Sequence, residues 1–309
     1  MTTPRLLAAA LLTSCTLLTG CAADSPPESA APTSTAQAVE IAVPAPQVTL
    51  LAPGTGELRA VRYVDLGAHQ TIPLRLGLGF AQTTGTSVDP QPQPGGDGIV
   101  LTTTLSASVE QGPDADTSRV LTLEATDITR DDPALDVSPA SGITSRVGLS
   151  GTGKVTTISF TPPAGVDAES QAEALGTVEG YLTALYGQLV VFPEDAIGVG
   201  AQWSVNSPLI GESNTLQTTT YTLISWDADT VVVSAEVSQR PAVTALPLGD
   251  GSDAQLAVTS TVSRGTGTIA IDLTQPLPVR MESALDTRVI YGAPPSTQVA
   301  QDTWQRTQI

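Results

Sequence analysis

The sequence predicts a mainly β fold of the α+β type, a curved antiparallel sheet or partly closed barrel with one amphipathic helix packed on it. Three observations predict this fold. Apolar and polar residues alternate in several segments, one segment has helical spacing, and the two halves of the chain repeat short motifs. Because an alternating strand buries only one face, the sheet needs a cover on that face.

The N-terminal segment has the order of a bacterial lipoprotein signal peptide. Arg5 supplies positive charge, Leu6 to Leu18 is an apolar run of 13 residues, and Leu18-Thr19-Gly20-Cys21 forms a lipobox. This resemblance to bacterial lipoproteins implies that residues 1–20 are removed and that the Cys21 sulfur carries a lipid thioether. We therefore expect a protein held on the outer face of the cell membrane. The alternative is an ordinary secretory signal with an incidental cysteine.

Two segments have the composition of loops. Residues 21–46, the lipidated end of the mature chain, are rich in Ala, Pro, Ser and Thr and are predicted to form a disordered linker. Residues 83–98 are rich in Pro and Gly and are predicted to form a loop inside the folded domain.

Period-two patterning predicts half-buried strands with apolar residues on the inner face. The first unit has such segments at residues 101–109 and 121–125, and the second unit has them at 269–273 and 279–289. In each segment Leu, Ile, Val, Ala or Met alternates with Thr, Ser, Asp, Glu or Arg.

One segment departs from this period and predicts an amphipathic helix. Between Asp167 and Gln188 the apolar residues recur at spacings of three and four, and acidic residues open the segment. Residues 165–192 are therefore assigned to a connecting helix. If the sheet curls around this helix, a ligand cavity between them would be lined by Leu175, Val178, Leu182 and Leu185.

The chain also contains an internal repeat, which divides it into a first β unit (47–164), a second β unit (193–292) and a C-terminal tail (293–309). Each unit is expected to turn at Asp-Ala-Asp-Thr and to have a strand that begins after Gly-Thr-Gly. The matched segments are 67–70 with 200–203, 102–105 with 218–221, 114–117 with 227–230, 151–155 with 265–269, and 158–161 with 271–274.

The segment Gly198–Trp203, after Phe192-Pro193, together with the Gly-Thr-Gly strand starts, resembles a family of uncharacterised bacterial lipoproteins with a two-part β domain. This resemblance covers roughly Leu50 to Ile290 and brings no catalytic residues. A curved sheet with an internal helix is also similar in architecture to half-barrel lipoproteins that carry lipids or lipidated molecules across the envelope.

Composition excludes several functions. A formal net charge of −18 argues against nucleic acid as a partner. One histidine, His69, cannot build a zinc site with an acylated cysteine, and it is interpreted as a strand-surface residue. Ser150 lacks the second glycine of a nucleophile elbow, and the two Gly-Thr-Gly segments are interpreted as turns. We expect no metal and no cofactor.

Paired acids are the remaining chemical candidates. They are interpreted as turn residues because none matches a calcium loop. These pairs are Asp114/Asp116, Asp131/Asp132, Asp227/Asp229 and Asp250/Asp253.

Three functions are compatible with the sequence. The first is a non-catalytic, membrane-anchored envelope lipoprotein that binds a hydrophobic ligand or lipid. The second is a structural or interaction module that binds another envelope protein. The third is a carboxylate-based hydrolase, although no catalytic constellation is visible.

Overall fold

The computed structural model describes residues 40–92, 95–209, 212–242, 245–247, 255–292 and 297–309. The predicted signal peptide, Cys21 and most of the predicted linker lie outside these residues, as do Asp250 and Asp253. Among the described helices, none is both long and apolar enough to cross a membrane.

The described part of the chain contains sixteen strands and one α-helix, α1 (Ala172–Tyr186). The strands are β1 (Ile41–Ala42), β2 (Gln47–Ala52), β3 (Thr55–Arg59), β4 (His69–Gly85), β5 (Ile99–Gln111), β6 (Arg119–Arg130), β7 (Ile143–Leu149), β8 (Val155–Thr161), β9 (Ile197–Val199), β10 (Gln202–Leu209), β11 (Glu212–Asp227), β12 (Thr230–Pro241), β13 (Ala245–Pro247), β14 (Gln255–Asp272), β15 (Arg280–Tyr291) and β16 (Gln298–Gln308).

Fourteen strands form one antiparallel sheet in the order β1-β8-β7-β6-β5-β4-β16-β15-β14-β12-β11-β10-β2, with β13 beside β14. Strands β3 and β9 form a separate pair. The predicted fold class is confirmed: the protein is mainly β, with a curved antiparallel sheet that is not closed and one helix packed on it. The two β units share this single sheet.

The two units are meanders of five strands each. The first runs through β4, β5, β6, β7 and β8, and the second runs through β10, β11, β12, β14 and β15. Strand β16 joins them, since it pairs with β15 on one side and β4 on the other. The prediction of a C-terminal tail over residues 293–309 is therefore wrong. The alternation of apolar and polar residues in this strand is weak because a charged residue occupies a buried position. Asp302, on the outer face, is buried and pairs with Arg288.

The meander is interrupted only between β8 and β10, and the N-terminal segment spans this gap. Strand β1 pairs with β8, and β2 pairs with β10. Residues 43–46 thus connect the two edges of the sheet, and consecutive Cα atoms ~3.8 Å apart limit the distance that they bridge. We call the gap the seam and residues 43–46 the strap. Residues 41–46 belong to the fold, although their composition predicts linker.

The repeat is clearest where the two units begin. Gly67 and Gly200 both have positive φ, 79° and 82°. Their amides donate to Val109 and Leu223, each at 2.8 Å. Counted from this equivalence, Thr218 corresponds to Thr104 and not to Thr102. The predicted match of residues 102–105 with residues 218–221 is therefore displaced by two residues.

The Gly-Thr-Gly matches have different positions in the two units. Residues 151–153 precede β8, as predicted, in the hairpin that follows β7. Residues 265–267 lie inside β14 and pair with β15, so no strand begins after them. Glycine at position 265 leaves room for the neighbouring strand β12, since a Cβ on Gly265 would lie only 2.7 Å from the Cβ of Val237.

The helix begins later than the acidic segment predicts. Asp167 accepts the Glu169 amide on its side chain and the Ser170 hydroxyl on its carbonyl, which forms a local turn before α1. Only Glu173 lies in the first helical turn. The side-chain turn of Asp167 competes with helical hydrogen bonding and delays the start to Ala172.

Candidate functional site

The four helix residues predicted to line a cavity are buried in the core. Leu175, Val178, Leu182 and Leu185 are at most 4% exposed, and they pack with the apolar residues of β4–β8. Neither of the two cavities described below includes any of them.

An apolar pocket instead lies at the seam, beyond the C-terminal end of α1. It encloses about 50 Å³. The strap, β8, the end of α1 and the inner faces of β10 and β11 contribute to it. Among the described residues its lining contains no Lys, Arg, His, Asp or Glu, and consists of Val43, Pro44, Pro46, Val155, Tyr186, Gly187, Leu189, Val191, Val205, Ser207, Pro208, Leu209, Gln217, Thr219 and Tyr221.

The strap is the wall of this pocket with the fewest backbone contacts. Within the described part of the chain, it makes one backbone hydrogen bond, from the Val43 amide to the Thr156 carbonyl at 2.8 Å. Pro44 and Pro46 have no N–H to donate. The strands on the opposite wall are paired on both sides, so the strap needs the least free energy to move.

Two tyrosine rings form the part of the pocket nearest the core. Tyr186 shares a hydrogen bond with the Ser145 hydroxyl, and Tyr221 stacks on Trp203 with ring centroids 5.4 Å apart. Burial raises the pKa of both phenols well above the ordinary value. Both rings are therefore neutral at physiological pH, and the pocket carries no formal charge.

Apart from the tyrosine phenols, the polar side chains of the described lining lie on one side of the pocket, on β10 and β11. The Gln217 amide donates to the Thr219 hydroxyl at 3.3 Å and accepts from the Gln239 side chain at 2.9 Å. The Thr287 hydroxyl in turn donates to the Gln239 side-chain oxygen, Oε1, at 3.1 Å. These bonds continue across the inner face of the sheet and hold Gln217 in place.

A second, larger cavity is an open polar cleft of about 500 Å³ on the outer face of β4, β14, β15 and β16. Thr268, Glu282, Gln308 and Arg75 lie directly opposite one another across it. Arg75 pairs with Asp97 at 3.1 Å. Arg306, beside this row, pairs with Asp286 at 2.8 Å. Because both guanidinium groups already have carboxylate partners, the cleft offers no unpaired positive charge to an anion.

Exposed apolar side chains are concentrated at one end of the sheet. This hairpin end is where β4, β10 and β15 begin. Of nine large apolar residues that are exposed among the described residues, only Ile41 and Phe80 lie elsewhere. The seven at the hairpin end are Leu51, Leu58, Val64, Leu66, Val199, Ile224 and Val279.

The hairpin end is also acidic. The β5–β6 turn exposes Asp114 and Asp116, and the β11–β12 turn exposes Asp227 and Asp229. The two Asp-Ala-Asp-Thr segments thus lie in hairpin turns, as predicted. The Asp114 carboxylate accepts the Thr117 amide at 2.7 Å, which is a turn-forming contact.

The other chemical candidates stay apart. His69 is exposed at the start of β4, and the Ser150 hydroxyl accepts the Lys154 amide in the β7–β8 turn at 3.0 Å. Asp131 accepts the Val100 amide at 2.7 Å. Within the described residues, no three His, Cys, Asp or Glu side chains come together as a metal site would require.

Comparison of the chain with protein-family models, with curated proteins and with solved structures gave no significant match. The residues of the seam pocket carry no sequence motif, because they come from five segments that are distant from one another in the chain. The sequence feature that comes closest to indicating the pocket is the pair of strap prolines, Pro44 and Pro46, which composition assigns to the linker.

Proposed function

We propose that this protein is a lipid-anchored, extracytoplasmic binding protein without catalytic activity, and that its seam pocket takes the hydrocarbon part of a hydrophobic ligand or lipid. The observation that carries this proposal is the uncharged, mainly apolar lining of the seam. Apolar pockets with a few polar groups are the usual form of small-molecule sites.

The pocket must open to receive a chain. Its volume of about 50 Å³ is far below the ~300 Å³ of ordinary ligand sites. The strap supplies Val43, Pro44 and Pro46 to the lining and has one backbone hydrogen bond to lose. Outward movement of the strap would therefore enlarge the pocket with little disruption of the sheet.

The predicted lipid anchor and linker support the same proposal. The strap is the C-terminal end of the predicted linker (residues 21–46), which begins at the lipobox Cys21. Lipidation would hold the pocket near the membrane, where hydrophobic ligands are concentrated. Replacing Cys21 by Ser should release the protein from membranes into the soluble fraction, whereas Cys15→Ser should leave it membrane-bound. An unmodified Cys21 in intact-mass measurements would contradict the anchoring.

Binding is tested with dodecanol, an uncharged twelve-carbon amphiphile, by titration calorimetry and native mass spectrometry of the folded protein. Val205 faces the pocket from β10, so Val205→Trp fills it. We expect this substitution to weaken dodecanol binding at least tenfold. Ser204→Trp, on the opposite face of the same strand, is the matched control and should bind normally.

A protein that binds no dodecanol, or whose affinity is the same with Trp at position 205 as with Trp at position 204, would refute ligand binding at the seam. Thermal unfolding of both variants shows whether each is folded under the conditions of the titration.

A second function, docking to another envelope protein, is favoured by the hairpin end. Seven exposed apolar side chains surrounded by acidic turns fit a partner surface with apolar residues and a basic rim. A photo-crosslinking residue at Leu58 or Val199 should give one defined adduct in cells, and the same residue at exposed Phe80 should not. Equal labelling from all three positions would reject a specific surface.

A further inference from the structure

We infer that the seam pocket selects single-chain amphiphiles with an uncharged hydrogen-bonding head, such as a hydroxyl or amide, over amphiphiles with a carboxylate or phosphate head. This inference rests on the proposed function, because it specifies which ligand the same pocket takes. It derives from the distribution of polar atoms around the pocket.

The hydroxyl and amide side chains of the described lining, apart from the two phenols, all come from β10 and β11. Ser207, Gln217 and Thr219 supply them beside the apolar β10 residues, whereas the strap, Val155, Leu189 and Val191 supply hydrocarbon. An amphiphile that fits this pattern lies with its chain toward the strap and its head at Gln217. A hydroxyl head can both donate to the Gln217 carbonyl oxygen and accept from the Thr219 hydroxyl.

A charged head lacks a partner in this arrangement. None of the fifteen lining residues is Lys, Arg or His, and the titratable groups among them are only Tyr186 and Tyr221. Transfer of an ionised carboxylate from water to such a site costs far more free energy than transfer of a hydroxyl that finds hydrogen bonds. The group that would bind an ionised head at this position is the Gln217 amide, which carries no charge.

The test compares dodecanol with dodecanoate, which has the same chain length, at pH 8 and pH 5. We expect dodecanol to bind at least tenfold more tightly than dodecanoate at pH 8. The difference should narrow at pH 5, where part of the dodecanoate is protonated, and dodecanol affinity should change little between the two pH values.

A charge introduced at the head position should invert the preference. Gln217→Arg places a guanidinium where the head is expected and should favour dodecanoate at pH 8. Asn206→Arg, on the outer face of the neighbouring strand, adds the same charge away from the pocket and should leave the preference unchanged.

The outcomes separate the two proposals. Equal affinities of the wild-type protein for dodecanol and dodecanoate at pH 8 would overturn the selectivity inference and leave hydrocarbon binding standing. Failure of both compounds to bind would overturn the proposed function itself. The wild-type ratio is sufficient for this decision even if Gln217→Arg does not fold.

Discussion

The two five-stranded units differ in how their inner faces are covered. In the first unit, α1 lies on β4–β8 and supplies Leu175, Val178, Leu182 and Leu185 to one closed core. In the second unit, loop and strand residues supply an aromatic series, in which Tyr63, Phe192, Trp203 and Tyr221 follow one another with centroids 5.4 to 5.9 Å apart. Similar meanders therefore have different interiors.

This difference explains the position of the pocket. In the first unit, the buried side chains of α1 pack against the apolar residues of β4–β8 on the concave face. The cover of the second unit consists of aromatic rings and a short connecting segment, Val190–Phe192. Val191 of this segment borders the pocket that remains beside the inner faces of β10 and β11. Space is left where the helical cover ends and the aromatic cover begins.

The largest expected effect is at the centre of the aromatic series. Trp203 is fully buried, and its indole Nε1 donates to the Val191 carbonyl at 2.8 Å. Trp203→Ala should lower the free energy of unfolding by about 3–5 kcal/mol, and we expect it to abolish dodecanol binding by loosening the Val191 wall. The measurements are urea unfolding and calorimetric titration.

Leu182→Ala is the matched control in the helical core, since Leu182 is equally buried but lies away from the pocket. It should also destabilise the protein, by about 2–5 kcal/mol, yet retain dodecanol binding. Loss of dodecanol binding in both variants would show that the helical core supports the pocket as much as the aromatic series does. That result would contradict the difference described between the two units.

A comparable effect is expected at the ion pair that holds the segment between β3 and β4 on the first unit. Asp65 and Arg119 form a buried bidentate pair, with Nε 2.7 Å from one carboxylate oxygen. The same segment bonds to Gly151 of the first unit and Leu273 of the second. Asp65→Ala should cost about 3–5 kcal/mol because the Arg119 guanidinium is left buried and unpaired.

The double variant Asp65→Leu with Arg119→Met provides the check for that pair. It removes both charges and should recover most of the lost stability. A double variant as unstable as the single one would mean that packing of this segment, rather than charge pairing, holds it on the first unit.

A smaller effect is expected at alkaline pH. Burial raises the pKa of Tyr186, in the first unit, and of Tyr221, in the second, above the unfolded value of 10.0. Below pH 10 both states keep these protons. Above it the unfolded state loses them first, so stability should fall by about 1.4 kcal/mol per pH unit for each tyrosine.

Tyr221→Phe and Tyr186→Phe should each remove the contribution of one tyrosine to the loss of stability per pH unit. Denaturant unfolding from pH 9 to 11 measures this loss. Tyr63 adds to the slope in both variants, since burial raises its pKa to about 12. A slope unaffected by both substitutions would show that other groups cause the alkaline loss.

The smallest effect should be a gain in the helix. Gly180 lies inside α1, and a Cβ there would meet no atom within 4 Å. Gly180→Ala should raise the free energy of unfolding by about 0.5–1 kcal/mol. Because Gly180 does not line the seam pocket, dodecanol affinity should not change. A decrease in thermal stability would contradict the open surroundings of this position.

Several elements could be predicted from the sequence because their signal is local. Alternation over residues 101–109 and 121–125 predicts β5 and β6, and spacing of three and four predicts α1. Strand β16 could not be predicted in this way. Its outward Asp302 and Trp304 are covered by neighbouring strands and the β4–β5 loop, so its pattern does not report burial.

The sequence by itself determined the strand periodicity, the single helix, the acidic turns and the lipobox pattern, because each depends on residues that are near neighbours in the chain. Only the tertiary structure decided that β16 joins the units and that a pocket lies at the seam. Residues 43–46, 155, 186–191, 205–209 and 217–221 meet there, and strand pairing sets the position of the strands among them. Periodicity tells which face of a strand is buried, but it does not tell which distant residues that face will meet.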